Sequence, residues 1–215
     1  PPRDRVSGLT CPGCRVLIKT GRYPLGRRKN PGYPGGTMIP LVRLVFPVLE
    51  TTPQRWIQLA EKLTPELFQR KPAPKEWSAY DCLRHIVATE RSVFPPRVGY
   101  LLRGEDFPAY HPGEEGKGSA GNPTPIELAG EFVRLRAGSL ALLSKVGEDD
   151  LNRTARHQEL GMVTLGEMIH EWAGHDLMHT VQGERAILQP FIDGCGPWKR
   201  YFSDHIIPAS PQEGR

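Results

Sequence analysis

The chain has few cysteines, and their number and spacing exclude two classes of protein. Four Cys in 215 residues, at positions 11, 14, 82 and 195, are too few for a disulfide framework. The one close pair, Cys11-Pro-Gly-Cys14, is a single C-x-x-C without the second pair that a zinc ribbon needs. Its Pro/Gly-rich surroundings also lack the strand-to-helix setting of a redox C-x-x-C. We therefore interpret the pair as incidental.

The sequence also lacks a long hydrophobic run. The longest, from Ile39 to Leu49, is interrupted by Pro40, Arg43 and Pro47, so no segment reaches the length of a membrane span. A signal-peptide pattern with an apolar core and a small-residue cleavage site is not recognisable either. We expect a cytoplasmic protein without a membrane partner.

The net charge of +4 is unevenly distributed along the chain. Residues 1–37 contain eight of the 28 Lys and Arg but one of the 24 acidic residues, which leaves 20 bases and 23 acids for the rest. A basic tail on a mildly acidic body is not the charge pattern of a nucleic-acid-binding domain, so we expect no nucleic-acid partner.

Composition divides the chain into three predicted segments. Residues 1–37, with six Pro, seven Gly and little apolar content, are expected to be an N-terminal extension outside the fold. Met38 is the first Met, and we expect the natural start there. Residues 38–207 are predicted to form one domain, and residues 208–215 a tail. The end of this domain is expected to pack on the bundle because it retains four aromatic residues, Phe191, Trp198, Tyr201 and Phe202.

Helix signals are abundant, whereas strand signals are weak, because no alternating run is bounded by a hairpin turn. Four amphipathic segments predict an all-α fold, a four-helix bundle with helices at residues 51–63, 77–94, 124–146 and 164–188. The long Gly/Pro-rich connection at residues 104–123 is expected to be a surface loop covering one end of the bundle.

Each predicted helix begins with a recognisable N-terminal signal. The first has Thr52 before Pro53, and the other three have a capping-box pattern of Ser or Thr with an acid three residues later. These pairs are Ser78 with Asp81, Thr124 with Glu127, and Thr164 with Glu167. Pro95-Pro96 is expected to break or kink the second helix.

The fourth predicted helix contains "HEWAGHDLMH", residues 170–179, with three histidines. A helix turns about 100° per residue, so His175 and His179 lie about 40° apart and one turn above each other. This is the spacing with which one helix binds a metal through two imidazoles. His170 lies about 140° from His175 and faces elsewhere. A zinc-protease H-E-x-x-H motif is absent here, because the second His comes one position too late.

The two histidines lie on a continuous stripe spaced by three and four residues, together with Met168, Trp172, Gln182 and Ala186. Two histidines in such a stripe would both need polar partners in the interior, and a shared cation supplies them. A purely structural cluster of hydrogen-bonded histidines is the alternative.

His85 is the only histidine in the other three predicted helices. Within about 60° of it on that helix lie only small or short polar residues, a face suited to a pocket: Asp81, Cys82, Ala88, Thr89 and Ser92. With His175 and His179 it would provide three neutral nitrogen ligands and leave coordination positions for water or substrate. We therefore predict a metal site at His85, His175 and His179, and expect the three rings to converge.

Other polar residues receive lesser roles, and no general acid or base is assigned. Glu90, about 140° from His85, and Asp176, about 100° from His175, are expected to partner other side chains. His111 and His205 are expected at the surface.

Two segments carry a resemblance to a known family: W-S-x-x-D-x-L-x-H-I-V at 77–87 and H-x-x-L-G-x-V-T-L-G-E-M-I-x-x-W-A-x-H-D-L-x-H-x-x-Q at 157–182. They resemble the DinB/YfiT-like superfamily over residues 45–190, and the subgroup with bacterial thiol-dependent transferases most of all. The resemblance implies an up-up-down-down four-helix bundle. It also implies a divalent metal bound by His85, His175 and His179. His157 matches a family position in the loop before the fourth helix, as a loop-packing or a pocket residue.

Two functions follow as hypotheses. In the first, the metal binds water or a low-molecular-weight thiol and lowers its pKa for attack on a small electrophilic substrate. Thiol transfer or isomerisation is favoured over hydrolysis. In the second, the protein is a non-catalytic metal-dependent sensor or stress-associated binding module.

The predicted cofactors and partners depend on the three histidines and on the family resemblance. Three imidazoles suit zinc, nickel, iron or copper by similar margins. The resemblance implies zinc, nickel, iron or manganese, and we prefer zinc or nickel. A thiol co-substrate accompanies the enzyme hypothesis, no other cofactor is expected, and a homodimer stays open.

Overall fold

The computed structural model describes residues 38–108 and 122–208. The predictions for residues 1–37, for the Cys11/Cys14 pair, for His111 and for most of the 104–123 connection lie outside the described residues. Within them the chain forms helices α1 to α6 and strands β1 and β2. Their bounds are α1 Pro40–Lys62, α2 Pro65–Gln69, α3 Ala79–Ser92, α4 Phe94–Arg103, α5 Pro125–Leu143, β1 Thr154–His157, β2 Gly161–Thr164 and α6 Leu165–Gly194.

Four of these helices, α1, α3, α5 and α6, form the bundle. Helix α1 packs against α5 and α6, and α3 packs against the same two helices. Helices that follow one another in the chain, α1 then α3 and α5 then α6, therefore lie on diagonals. The predicted fold class, an all-α four-helix bundle with up-up-down-down topology, is confirmed.

The predicted capping boxes start three of the bundle helices. Ser78, Thr124 and Thr164 each accept a hydrogen bond from the backbone N–H three residues on, and the acid at that position accepts from the cap in return. The predicted break also occurs: α3 ends at Ser92, and α4 begins at Phe94 with prolines in its first turn. These features depend on a few adjacent residues, so they can be predicted locally.

The start of α1 differs from the prediction. The helix begins at Pro40 and runs through Pro47 and Pro53, so Thr52 is an interior residue and not an N-cap. Its hydroxyl donates to the Val48 carbonyl at 2.7 Å. The sequence pattern favours a helix start at Pro53, because proline is common in a first helical turn and proline inside a helix costs about 3 kcal/mol.

A short hairpin is present where no strand was predicted. Strands β1 and β2 pair antiparallel, from Thr154 opposite Thr164 to His157 opposite Gly161, and β2 leads directly into α6. Gly161 has φ +78°, a conformation that glycine adopts without strain. Four-residue strands joined by "QEL" lack a standard two-residue turn signal, so periodicity does not identify them.

The core and the chain end complete the fold. Buried aromatic and aliphatic side chains fill the bundle, among them Trp56, Phe68, Leu83, Ile86 and Phe132. After α6 a 3-10 helix, Gly196–His205, is held by its backbone: Arg185 and Gln189 of α6 donate to the His205 carbonyl. The rings of Phe191, Trp198 and Tyr201 in this region are largely exposed.

No helix within the described residues is long and apolar enough to cross a membrane.

Candidate metal centre

Three histidines from two bundle helices converge. His85 comes from α3, and His175 and His179 come from adjacent turns of α6, which packs against α3. One nitrogen from each ring lies within 4.8 Å of the other two. The Nε2 atoms of His85 and His175 are 3.1 Å apart, and the ring centres of His175 and His179 are 4.5 Å apart. The three residues that the sequence predicted as ligands are thus brought together.

Aromatic side chains surround the cluster on two sides. The Trp77 ring stacks on His179 at 5.5 Å with an interplanar angle of 19°. Phe94 meets His175 edge-on at 5.1 Å and stacks on Trp172. These contacts restrict ring rotation and exclude water from part of the cluster.

The cluster is built from neutral imidazoles. Burial lowers the pKa of His85, His175 and His179, and for His175 the neighbouring His179, His85 and Arg136 add to this effect and bring the pKa to about 3. Nδ1 of His179 lies 2.9 Å from Oε1 of Gln182, so Nδ1 carries the proton and donates to that oxygen. This tautomer leaves Nε2 with a lone pair, which is the form that binds a metal.

The burial of residues along α6 agrees with the helix faces that were predicted from the 100° rotation per residue. His170 is exposed, whereas Met168, Trp172, His179 and Ala186 are buried. The small-residue face of α3 is only partly a pocket face, because Cys82 and Ala88 are buried in the core. Burial raises the pKa of the Cys82 thiol to about 12, which excludes it as a thiolate nucleophile near neutral pH.

A pocket of about 230 Å³ opens beside His85 and His175. Its walls are formed by helices α3, α4 and α6, by the end of β1 with the hairpin turn, and by residues 107–108. Its polar lining comprises Thr89, Arg97, His157, Gln158, Glu159 and Glu171, and its apolar lining includes Val93, Phe94 and Phe107.

His157 lies at the end of β1 and borders this pocket. Its Nδ1 accepts hydrogen bonds from the backbone N–H groups of Glu159 and Leu160 at 3.2 and 3.3 Å. The ring also packs edge-on against Phe107. His157 therefore has both of the roles considered for it, since it shapes the hairpin turn and lines the pocket. His205 is exposed, as expected.

A buried ion-pair network joins all four bundle helices, and sequence reasoning missed it. Arg136 of α5 donates from Nε and Nη2 to the two carboxylate oxygens of Glu90, both at 2.8 Å, and from Nη1 to Asp176 at 2.7 Å. Nη1 also donates to the Leu49 carbonyl of α1 at 2.7 Å. Trp172 Nε1 donates to Glu90 at 3.1 Å. Glu90 and Asp176 are thus partners of other side chains, as expected.

The signal for this network was present in α5. Its buried positions are spaced by one, three or four residues, and Arg136 and Ser139 fall on the same stripe as Leu128, Phe132 and Leu143. A charged residue on a buried stripe requires an acidic partner. The identity of that partner could not be read from α5, because Glu90 and Asp176 are on other helices.

One guanidinium shared by two carboxylates explains the electrostatics of the network. Burial acts to lower the pKa of Arg136, but the charges of Asp176 and Glu90 outweigh it and raise that pKa. Burial raises the pKa of Asp176 to about 6, although Arg136 opposes this. Asp176 receives one guanidinium contact and Glu90 receives two, so one positive charge is shared by two buried carboxylates.

Four-helix bundles can bind a metal in their core through side chains on facing helices. Convergent histidines on α3 and α6 give this protein the same arrangement. The chain is a member of the DinB superfamily, whose family model matches residues 48–182.

One solved structure gives the fold a close parallel. YfiT from Bacillus subtilis, described as a probable metal-dependent hydrolase with an unusual four-helix bundle topology, is similar with a TM-score of 0.60 and 17% sequence identity. The match covers 74% of this chain and 93% of that chain. At this identity the likeness shows the fold. Among curated proteins there is no match.

Proposed function

We propose that this protein is a metal-dependent enzyme that binds a divalent cation through His85, His175 and His179. It uses the cation to activate water or a small thiol against an electrophilic substrate. The observation that carries the proposal is the convergence of three neutral imidazoles within 4.8 Å beside a pocket. Imidazole ligands suit zinc, nickel and iron; zinc or nickel is our preference, and manganese is a candidate only through the family resemblance.

The donor set fits a cation. Two ligand nitrogens about 2.05 Å from a tetrahedral zinc are separated by roughly 3.3 Å, close to the 3.1 Å between the Nε2 atoms of His85 and His175. Each ring keeps its lone pair at neutral pH because burial lowers its pKa.

An incomplete ligand set supports a reactive site over a structural one. Within residues 38–108 and 122–208 no fourth His, Cys, Asp or Glu joins the cluster. The pocket borders His85 and His175, so small molecules have access to this side of the cluster. When bound, a metal with an open position lowers the pKa of a coordinated water or thiol.

The surrounding residues have defined tasks in this proposal. Gln182 orients His179 by accepting a hydrogen bond from its Nδ1–H, and Trp77 covers one face of that ring. Glu171 borders the pocket one helical turn before His175, and we assign it the acceptance of the proton from the attacking nucleophile.

The nucleophile is either water or a thiol. The description of YfiT as a probable metal-dependent hydrolase supports water. The resemblance of residues 77–87 and 157–182 to the subgroup with thiol-dependent transferases favours thiol transfer or isomerisation.

Metal content and turnover, measured on the same variants, test the proposal. The full chain, purified without a metal-affinity tag, should contain about one divalent cation. His175→Gln and His179→Gln should lose it, because each removes one of three ligands. His170→Gln is the matched control: it alters the same helix on an exposed face and should retain the metal. Equal loss in all three variants would show that the ligand set is wrong.

Turnover is measured with a thiol plus an activated aryl halide, and separately with carboxylic esters in water. Glu171→Gln should retain the metal but slow the reaction by about 100-fold or more. Metal-bound protein without turnover of either class would support the sensor or binding-module function instead.

A further inference from the structure

We propose that an exposed apolar face of α6 binds the same face of a second copy of the chain, so that the protein forms a symmetric dimer. We call this face the α6 seam. It comprises Gly174, Leu177, Val181, Glu184, Leu188 and Phe191. The inference is independent of the metal and of the proposed function.

The seam lies on the side of α6 that faces away from the bundle. Helix α6 packs against α1 and α3 through its other side, where Trp172 and Ala186 are buried. In the seam, Leu177, Val181 and Phe191 are 50%, 63% and 58% exposed, and the neighbouring Met178 is 56% exposed. Large apolar side chains that are this exposed, and this close together on one helix, form a patch, and such patches mark interaction sites.

The spacing of the seam is that of a helix which pairs with another helix. Its positions, 174, 177, 181, 184, 188 and 191, follow one another at alternating steps of three and four residues. This is the repeat of the a and d positions in a coiled coil. Because many helices fit a repeat of this kind, the choice of partner depends on which residues occupy the positions.

The residues of the seam complement one another when the helix is paired with itself in the antiparallel direction. A twofold axis midway along the seam places position 174 opposite 191 and position 177 opposite 188. Leu177 then meets Leu188. Gly174, whose added Cβ would have no atom within 4 Å, meets Phe191, so the smallest residue of the seam faces the largest. Parallel pairing would instead oppose Phe191 to Phe191 and glycine to glycine.

A cavity beside the seam gives room for side chains of the second copy. Its volume is about 400 Å³, and it lies between the seam residues Val181, Leu188 and Phe191 and Leu59 of α1. In the antiparallel pairing, Leu177 of each copy lies at this cavity of the other copy and can fill it. A twofold interface requires such self-complementarity, because each copy has to supply both the inserted side chain and the cavity.

The polar groups on this face already have partners, so the contact leaves no buried charge uncompensated. Glu184 accepts a hydrogen bond from Nε of Arg55 at 2.6 Å. The Arg185 guanidinium donates to the carbonyls of His205 and Ile206. Near the twofold axis each copy thus contributes one ion pair, with a net charge of zero, and no like charges are forced together.

The apolar area of the face suits a dimer of modest affinity. Four side chains of this size, each exposed over half or more of its surface, contribute roughly 100 Å² each, or roughly 400 Å² per copy. A standard interface buries about 800 Å² per partner, and about 65% of that area is apolar in homodimers. The face therefore supplies most of the apolar area that a dimer needs, and we expect association in the micromolar range.

Sedimentation velocity of the full chain, with metal and after chelation, tests the inference. The wild-type protein should have twice the mass of one chain at about 100 µM in both states. Leu177→Glu and Leu188→Lys should each weaken the dimer by about 100-fold or more, because a dimer of either variant would bury two unpaired charges. An equimolar mixture of the two variants should form dimers again, since each mixed dimer contains one Glu–Lys pair and one native Leu–Leu pair.

Leu44→Glu is the matched control, because Leu44 is 65% exposed but lies on α1, outside the seam. This variant should remain dimeric. Gly174→Trp gives a second test that does not depend on the folding of Leu188→Lys. The monomer has open space for the new ring, whereas in the dimer the ring would collide with the second copy's Phe191. Circular dichroism verifies that each variant is folded.

Four outcomes would overturn the inference. One is a wild-type chain that stays monomeric at about 200 µM. Another is a dimer that survives both Leu177→Glu and Gly174→Trp, or that is lost equally in Leu44→Glu, because a different face would then form it. A dimer that dissociates on chelation would show that a shared metal joins the copies. Folded Leu177→Glu and Leu188→Lys that stay monomeric when mixed would show that the antiparallel pairing is wrong.

Discussion

Pro53 shows how one residue creates a binding position inside the bundle. Proline has no N–H, so the carbonyl four residues earlier in α1, that of Leu49, loses its helical hydrogen bond. Arg136 donates to that carbonyl at 2.7 Å. A proline that would normally weaken a helix thus supplies an acceptor for a buried guanidinium, and α1 is attached to the ion-pair network by its backbone.

Gly183 is a second residue whose identity is dictated by a neighbour. An added Cβ would lie 2.5 Å from Cη2 of Trp56, a fully buried ring whose Nε1 donates to Thr180. Overpacking of this kind costs about 1–3 kcal/mol, and alanine returns up to about 1 kcal/mol of helix propensity. We predict that Gly183→Ala lowers the free energy of unfolding by about 1–2 kcal/mol, measured by urea denaturation.

Gly174 is the control in the same helix, since nothing lies within 4 Å of its added Cβ. Gly174→Ala should raise the free energy of unfolding by about 0.5–1 kcal/mol. Equal effects of the two substitutions would show that Trp56 does not constrain Gly183.

Among the secondary-structure elements, a helix could be predicted from the sequence where neighbouring residues mark its start. The capping boxes at Ser78, Thr124 and Thr164 each lie within four residues of sequence, and all three form. The first half of α1 and the β1–β2 hairpin could not be predicted, because tertiary contacts stabilise them. The buried Ala155 and the hydrogen bond from the Arg156 N–H to Asp106 anchor the hairpin from outside its own sequence.

The buried network holds the bundle helices together. The contribution of its Arg136–Glu90 ion pair to stability can be compared with that of an exposed ion pair between the same two helices, α3 and α5. Arg136 and Glu90 are 1% exposed, whereas the ion pair between Arg91 of α3 and Glu131 of α5 is 39% and 30% exposed. Removing one partner of a buried pair leaves the other charge uncompensated and costs about 3–5 kcal/mol. An exposed pair contributes about 0–1 kcal/mol.

We therefore predict that Arg136→Met lowers the free energy of unfolding by about 3–5 kcal/mol, whereas Arg91→Met lowers it by about 1 kcal/mol at most. Urea denaturation at pH 7 measures both. The loss in Arg136→Met should shrink at pH 5, because Asp176, whose pKa is raised to about 6, is then protonated and no longer leaves a buried negative charge. A loss that does not change with pH would indicate a packing defect instead.

At the scale of the whole molecule, the histidine cluster could be predicted from the sequence, but the pocket beside it could not. His175 and His179 follow from helix periodicity, and His85 follows because it is the only histidine in the other three predicted helices. The pocket could not be predicted in the same way. Its walls come from α3, α4, the hairpin turn and α6, and only the fold places Arg97, His157 and Glu171 together.

The same fold makes stability depend on pH in a predictable direction. Burial lowers the pKa of His85, His175 and His179, that of His175 from 6.5 to about 3. The unfolded chain therefore binds more protons than the folded chain below about pH 6.5, so their contribution to stability is lost as the pH falls. Asp176 acts in the opposite sense, because its pKa is raised from 3.8 to about 6 and its contribution is lost as the pH rises through 6. Three histidines outweigh one carboxyl group.

We predict that the chelator-treated protein has a lower Tm at pH 5 than at pH 7, measured by circular dichroism. His175→Gln removes the group with the largest of the three shifts, so the Tm difference between the two pH values should become smaller in this variant. His170→Gln should keep the full difference, because that side chain is exposed and lies on another face of α6. A wild-type Tm that rises on acidification would show that protonation of Asp176 dominates, and that the histidine cluster is more accessible to water than its packing indicates.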